Sequence, residues 1–270
     1  VQPVQPVGVF DSGVGGLTVA LEISRQLPAE TIVYYGDTAH VPYGSRTVEE
    51  LIFFADTITR FLVEQGAKAI VDACNTTSAV ALPYLKQKYD VPIIGVIEPG
   101  VKEALKATRN GRIGVIATEA TIASRAHEKA VQAHAADVQV FGRACPKLVP
   151  LVEAGKVSGP EVEGAVREYV EPLVNAGIDT LILGCTHYPF LAPVIQEVTG
   201  PGVILVDPAA ATVRELKEVL ASAGGLRGAH GSKAHTFYVS GDPQTFYRVG
   251  MQLVGWPELK GTRKLYLLGE

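Results

Sequence analysis

Part of this chain is written twice, and that constrains its fold more than any other feature. The stretch "AKAIVDACNTTSAVALPYLKQKYDVPIIGVIEP", starting at Ala67, can be laid on "IDTLILGCTHYPFLAPVIQEVTGPGVILVDP", starting at Ile178. Each copy reads as an apolar strand, a Cys with a polar neighbour, a helix, a short loop, a second strand and an acid-Pro pair. Glu98-Pro99 falls opposite Asp207-Pro208, and upstream "VGVFDSG" falls opposite "IGVIATE". The halves span roughly residues 7–98 and 112–208. Two similar α/β lobes facing each other leave a cleft, and ligands favour such clefts and the carboxyl ends of parallel strands.

Alternation of short apolar and longer amphipathic runs predicts an α/β fold with mainly parallel sheets, two similar lobes, a pseudo-twofold and a site in the interlobe cleft. Predicted strands cover 7–10, 31–36, 68–73, 91–96, 112–117, 180–184, 203–207, 234–241 and 263–269. Predicted helices cover 17–27, 47–66, 76–88, 119–135, 160–176 and 211–224. The second of these carries a capping box, Thr47 with Glu50, and a Gly66 stop. The tail is expected to pack back on the first half, giving residues 1–98 plus 212–270 as one lobe and 99–211 as the other. The "VQPVQP" start reads as a loose lead-in.

Composition excludes several classes. A net charge of −4 over 270 residues offers no general surface for nucleic acid or an anionic membrane. The amino-terminal residues lack a basic n-region and an apolar h-region, so no signal peptide is expected. No apolar stretch approaches the roughly 18–20 residues that span a bilayer. Three cysteines, Cys74, Cys145 and Cys185, make no disulfide framework, and the cytoplasm is the default compartment.

Cys74 and Cys185 each stand just past a predicted strand and just before a helix. Helix-start N–H groups lower a thiol pKa and can hold a carboxylate, together with Asn75, Thr76, Thr77, Ser78 and Thr186. A single such cysteine is more often a small buried residue. Two at matched places suggest two bases facing each other across a substrate, able to invert a stereocentre. A cysteine hydrolase needs one thiol with its own base. A zinc site wants three or four ligands, for which Cys74, Cys185 and His187 remain candidates. A non-catalytic amino-acid-binding protein would need the polar groups but not the thiols. Cys145 has no matched partner and reads as structural. Asp11 and Ser12 open "DSGVGG", either a weak phosphate loop without its Lys or a tight turn. Asp37, Pro42, Tyr43 and Gly44 follow the second strand, where turn chemistry also explains Pro and Gly. Glu153, near a helix end, reads locally as solvated.

In order, "GVFDSGVGGLTV", "GDTAHVPYG", "ACNTTSA", "GVIEPG" and "LGCTHYP" resemble the motifs of bacterial glutamate racemases, within the aspartate/glutamate racemase family. The resemblance covers about residues 7–208. It implies interconversion of L- and D-glutamate without pyridoxal phosphate, metal or other cofactor, supplying D-glutamate for peptidoglycan. It also implies a cytoplasmic homodimer. By position, Cys74 would take the α-proton from D-glutamate and Cys185 from L-glutamate. Asp11 would assist Cys74, His187 would assist Cys185, and Glu153 would orient His187. Substrate would meet Asp11, Ser12, Pro42, Tyr43, Gly44, Asn75, Thr76, Thr77, Thr186 and His187. Aspartate racemases of the same fold are the rival, but they resemble this chain less, because Thr-Glu rather than Thr-His follows their second cysteine. Two positions depart from the glutamate pattern: His40, where Arg is common, and Thr77, where Ala is common.

Overall fold

The structure is a computed structural model that describes residues 5–228 and 235–267. Its strands form two wholly parallel sheets. The first contains β1 (Val7–Asp11), β2 (Ile32–Gly36), β3 (Ala69–Asp72) and β4 (Ile93–Gly95). The second contains β5 (Arg112–Ala117), β6 (Gln139–Ala144), β7 (Thr180–Gly184) and β8 (Ile204–Val206). Late strands β9 (Thr236–Val239) and β10 (Arg263–Lys264) extend the first sheet, giving the order β10-β9-β2-β1-β3-β4. The second sheet runs β6-β5-β7-β8.

The order β2-β1-β3-β4 is thus repeated as β6-β5-β7-β8. Strand register makes the repeat a residue-by-residue equivalence. Val7 pairs with Ile32 and Ala69, as Ile113 pairs with Val140 and Thr180. Stepping along from these pairs sets Ser12 against Thr118, Asp37 against Cys145, Asp72 against Leu183, and Cys74 against Cys185. Strands β1, β3 and β7 are buried throughout, the pattern expected for parallel strands covered on both faces.

The helices are α1 (Leu17–Gln26), α2 (Val48–Glu64), α3 (Asn75–Val80), α4 (Leu82–Lys88), α5 (Ile97–Ala107), α6 (Glu119–Ser124), α7 (Ala126–His134), α8 (Leu148–Glu153), α9 (Pro160–Asn175), α10 (Ala192–Thr199), α11 (Ala209–Ser222) and α12 (Pro243–Val254). The capping box of α2 forms as read, with Glu50 N–H donating to Thr47 Oγ1 and Thr47 N–H to Glu50 Oε2. Two predicted helices are broken. The helix over 76–88 divides at Ala81 into α3 and α4, because Pro83 has no N–H to continue the ladder. The helix over 119–135 divides at Arg125, whose φ is 56°. There Ser124 Oγ donates to Thr121 O and accepts from Ala126 N–H, a side-chain route that competes with the helical one.

The sequence pattern predicts neither strand β6 nor helices α5 and α12. Strand β6 is a half-exposed edge strand without apolar alternation. The Pro99-Gly100 pair disguised α5, although Pro is tolerated in a first helical turn. The strand predicted over 263–269 shortens to Arg263–Lys264, and residues 268–270 lie outside the described residues, as do Val1 to Val4 of the lead-in and Ala234.

Helices α5 and α11 follow equivalent strands, β4 and β8, but each crosses to the other sheet. Ile97, Val101 and Ala104 of α5 pack with Val115, Ala117, Ile182 and Val206 of the second sheet. Val213, Leu216 and Leu220 of α11 pack with Val7, Val9, Ala69 and Val71 of the first. The two helices also pack on each other, close enough that a Cβ on Gly100 would crowd the Pro208 ring.

Candidate active site

The carboxyl ends of β3 and β7 both end at one cavity of about 240 Å³ between the sheets. Cys74 and Cys185 line it together, each nearly buried. Cys74 caps α3 with extended backbone, so its thiol stands at the mouth of a helix start. Past Cys185 the chain makes a single 3-10 turn, Tyr188–Leu191, before α10.

The surroundings of the two thiols differ. Cys185 Sγ lies 3.6 Å from His187 Nδ1, and His187 Nε2 lies 2.6 Å from Glu153 Oε1. Burial alone would depress the His187 pKa. The bonds to Cys185 and Glu153 outweigh that and hold it well above the ordinary histidine value. An imidazolium that donates to both neighbours is the form that suits a thiolate on Cys185. Among the described residues no such cation acts on Cys74. Burial pushes its thiol pKa up, and the carboxyls of Asp11 and Asp72 push it further. This corrects the expectation that a helix start lowers the pKa at both cysteines: at Cys74 the α3 N–H groups are outweighed by desolvation and by the neighbouring carboxyls.

The glycine-rich turn after β1 is not a phosphate loop. Gly13 and Gly16 N–H groups donate to Asp11 Oδ2 at 3.1 and 2.8 Å, and Val14 N–H donates to Glu153 Oε1 at 3.2 Å. Carboxylates already occupy the donors an incoming phosphate would need. Tyr34 Oη fixes the loop by donating to Gly13 O at 2.7 Å. A Cβ on Gly13 would collide with Glu153 Oε1, and one on Gly15 with Thr186 Oγ1 and His187 Nδ1. The glycines let this backbone lie against the acid and the imidazole.

The profile of the Asp/Glu/Hydantoin racemase family matches residues 8–216. A glutamate racemase from Desulforudis audaxviator is 52% identical over 255 residues, covering 92% of this chain and 93% of that one. Among solved structures, a glutamate racemase isoform from Bacillus anthracis superposes with a TM-score of 0.90 at 39% identity, covering 97% of both chains. A Francisella tularensis glutamate racemase solved with D-glutamate gives 0.88 at 35% identity, covering 98% of both. This chain belongs to the Asp/Glu/Hydantoin racemase family.

Of the residues singled out in the sequence of this racemase-family chain, Ser12, Pro42, Tyr43, Gly44, Cys74, Thr76, Cys185, Thr186 and His187 line the cavity. Asp11 is fully buried just behind it, accepting from Thr186 Oγ1 at 3.3 Å. Asn75 is also buried, and its Oδ1 has no protein partner among the described residues. Thr77 is not on the cavity wall. The first turn of α3 carries its hydroxyl back to Asp72 Oδ1 at 2.6 Å. Glu153 is not simply solvated: its carboxylate is spent on His187 and Val14, with 22% of the side chain exposed.

Tyr43 is held from below. Its hydroxyl donates to buried Asp37 at 2.5 Å, and Asp37 also accepts from Ser240 Oγ at 2.7 Å and His40 Nδ1 at 2.8 Å. His40 stacks on Phe54 and meets the Tyr266 hydroxyl through Nε2. Cavity residues missed from sequence are Ser45, Thr118, Glu119, Cys145, Pro146 and Val149. The repeat itself could have found two of them. Thr118 is the counterpart of Ser12, and it shares a 2.9 Å hydroxyl bond with Thr76. Cys145, read as structural, follows β6 as Asp37 follows β2; it is fully buried, and its thiol donates to Arg143 O. Among the described residues no three His, Cys, Asp or Glu side chains converge as a metal site requires, and no helix is long and apolar enough to cross a membrane.

Proposed function

We propose that this chain interconverts L- and D-glutamate by two-thiol proton transfer, supplying D-glutamate for peptidoglycan. The observation that carries the reading is the pair of thiols at equivalent strand ends, lining one cavity in a chain 52% identical to a named glutamate racemase. Starting from L-glutamate, Cys185 thiolate takes the α-proton: the C–H bond breaks, an S–H bond forms and the electron pair stays on the α-carbon. Cys74 then gives its proton to the opposite face and is left as thiolate. The reverse path starts at Cys74. Nothing is oxidised or reduced, and no cofactor enters the scheme. Asp11 assists at Cys74, His187 assists at Cys185, and Glu153 orients His187. Ser12, Pro42, Tyr43, Gly44, Asn75, Thr76 and Thr186 hold the carboxylates and the ammonium. Exclusion of water and preorganised donors supply the help a cofactor would otherwise give to a weakly acidic α-proton.

The test is solvent deuterium incorporation at the α-carbon, followed with circular dichroism of each pure enantiomer. Exchange and decay of both L- and D-glutamate signals are expected. A stable L-glutamate signal beside a decaying L-aspartate signal would replace glutamate by aspartate as substrate. The reading extends to a cytoplasmic homodimer, supported by the family resemblance. Light scattering at working concentration should return twice the 28.6 kDa chain mass.

A further inference from the structure

The repeat makes one side chain conspicuous. At the end of β3, two residues before Cys74, stands Asp72; at the equivalent place in β7 stands Leu183. Both are buried in a central parallel strand, where an apolar residue is the ordinary occupant and a carboxyl is costly. Asp72 is 0% exposed. Its Oδ1 accepts from Cys74 N–H at 3.2 Å and from Thr77 Oγ1 at 2.6 Å, while Ser78 Oγ donates to its backbone carbonyl at 3.0 Å. Its Oδ2 is buried without a partner among the described residues. Thr77 in turn has Tyr188 as its counterpart, so donor and acceptor of this bond are both peculiar to the first half.

We propose that Asp72, with Thr77, is a positioning residue for Cys74, clamping the strand-to-helix turn that aims this thiol into the cavity. The inference rests on the two-thiol reading above. The second half-site has its own device for the same task, the His187–Glu153 pair, and lacks the clamp. Burial raises the Asp72 pKa well above the ordinary value despite the bond from Thr77, with Asp11 adding to the rise, so the neutral acid is favoured. Oδ1 is the acceptor for both bonds. Asparagine preserves the same acceptor in nearly the same volume.

The experiment compares Asp72→Asn, Asp72→Ala and Thr77→Val in the full chain, with melting temperature, kcat, KM and the primary isotope effect for α-deuterated D- and L-glutamate. Asp72→Asn should keep kcat within about threefold, because a preserved neutral hydrogen bond has a small net effect. Asp72→Ala should lower kcat by about 10- to 100-fold with KM little changed, the scale of a slightly misplaced reacting group. Thr77→Val, which keeps the volume, should lower kcat less and in the same sense. In both deficient variants the isotope effect should rise from D-glutamate, where Cys74 breaks the labelled bond, and fall from L-glutamate, where Cys185 does. A change in melting temperature alone, with kcat and both isotope effects unmoved, would overturn the proposal. So would Asp72→Asn as damaging as Asp72→Ala. If the unaltered chain does not racemise glutamate, or Cys74→Ala still does, the two-thiol reading itself fails, which the Asp72 variants alone would not reveal.

Discussion

The two thiol half-sites share a backbone plan and differ in the titratable groups set around each sulfur. Around Cys185 lie an imidazole and a carboxylate in series, with the imidazole held positive. Around Cys74 lie two buried carboxyls, Asp11 and Asp72, which with burial hold the thiol protonated. The proposed two-thiol mechanism needs one thiolate and one thiol at the start of each turnover, and groups pushed to opposite protonation states are how one site does acid and base work together. On the proposed mechanism Cys185 acts as base and Cys74 as acid toward L-glutamate. Toward D-glutamate the two roles are exchanged.

Removing either sulfur breaks the comparison outright. Cys74→Ala and Cys185→Ala should each lower racemisation by about 10³-fold or more, near the upper range for loss of a general acid or base, measured by circular dichroism of glutamate. Next comes the imidazole. His187→Asn should cost about 10²-fold in kcat. Its raised pKa also makes a stability prediction. The bonds of the imidazolium stabilise the fold fully at pH below the ordinary histidine value, and that contribution is lost as pH rises through the raised one. The melting-temperature gap between the unaltered chain and His187→Asn should therefore be widest near pH 6, below the ordinary value of about 6.5, and narrow on the alkaline side. A gap that widens with pH would mean that a neutral imidazole does the work. Glu153→Gln keeps a hydrogen-bonding partner for His187 but not the charge, and should lower kcat by about tenfold, in line with a charge-assisted bond made neutral. The smallest effect belongs to the third thiol. Cys145→Ala should change kcat by no more than about twofold and cost about 1 kcal/mol of stability on denaturant titration, as for a small buried group removed. A loss comparable to that at Cys185 would give Cys145 a chemical part.

What could be read from sequence follows from where each residue sits. Strands β1, β3 and β7 are covered on both faces, so their apolar runs announce them; β6, half-exposed at a sheet edge, carries no such signal. The cysteines were visible because the repeat aligns them. Glu153 reads locally as solvated and is reached only through the family resemblance, since its contact is tertiary, with a residue 34 positions away. Asp72 lay within the quoted motif all along, but its burial, its bond to Thr77 and its mismatch with Leu183 emerge only when strand register is known.

The crossing of α5 and α11 bears on how such a chain could arise. A unit built like residues 7–107 alone would carry its last helix away from its own sheet, leaving Ile97, Val101 and Ala104 without a surface to cover. A second copy accepting that helix, and returning its own, would close both cores at once. The site of that pair would lie on its symmetry axis, with one thiol from each copy. In the present chain both copies are joined in one polypeptide, which frees the two sides to diverge: an imidazole could be kept on one and a buried acid on the other, an asymmetry that identical subunits cannot encode.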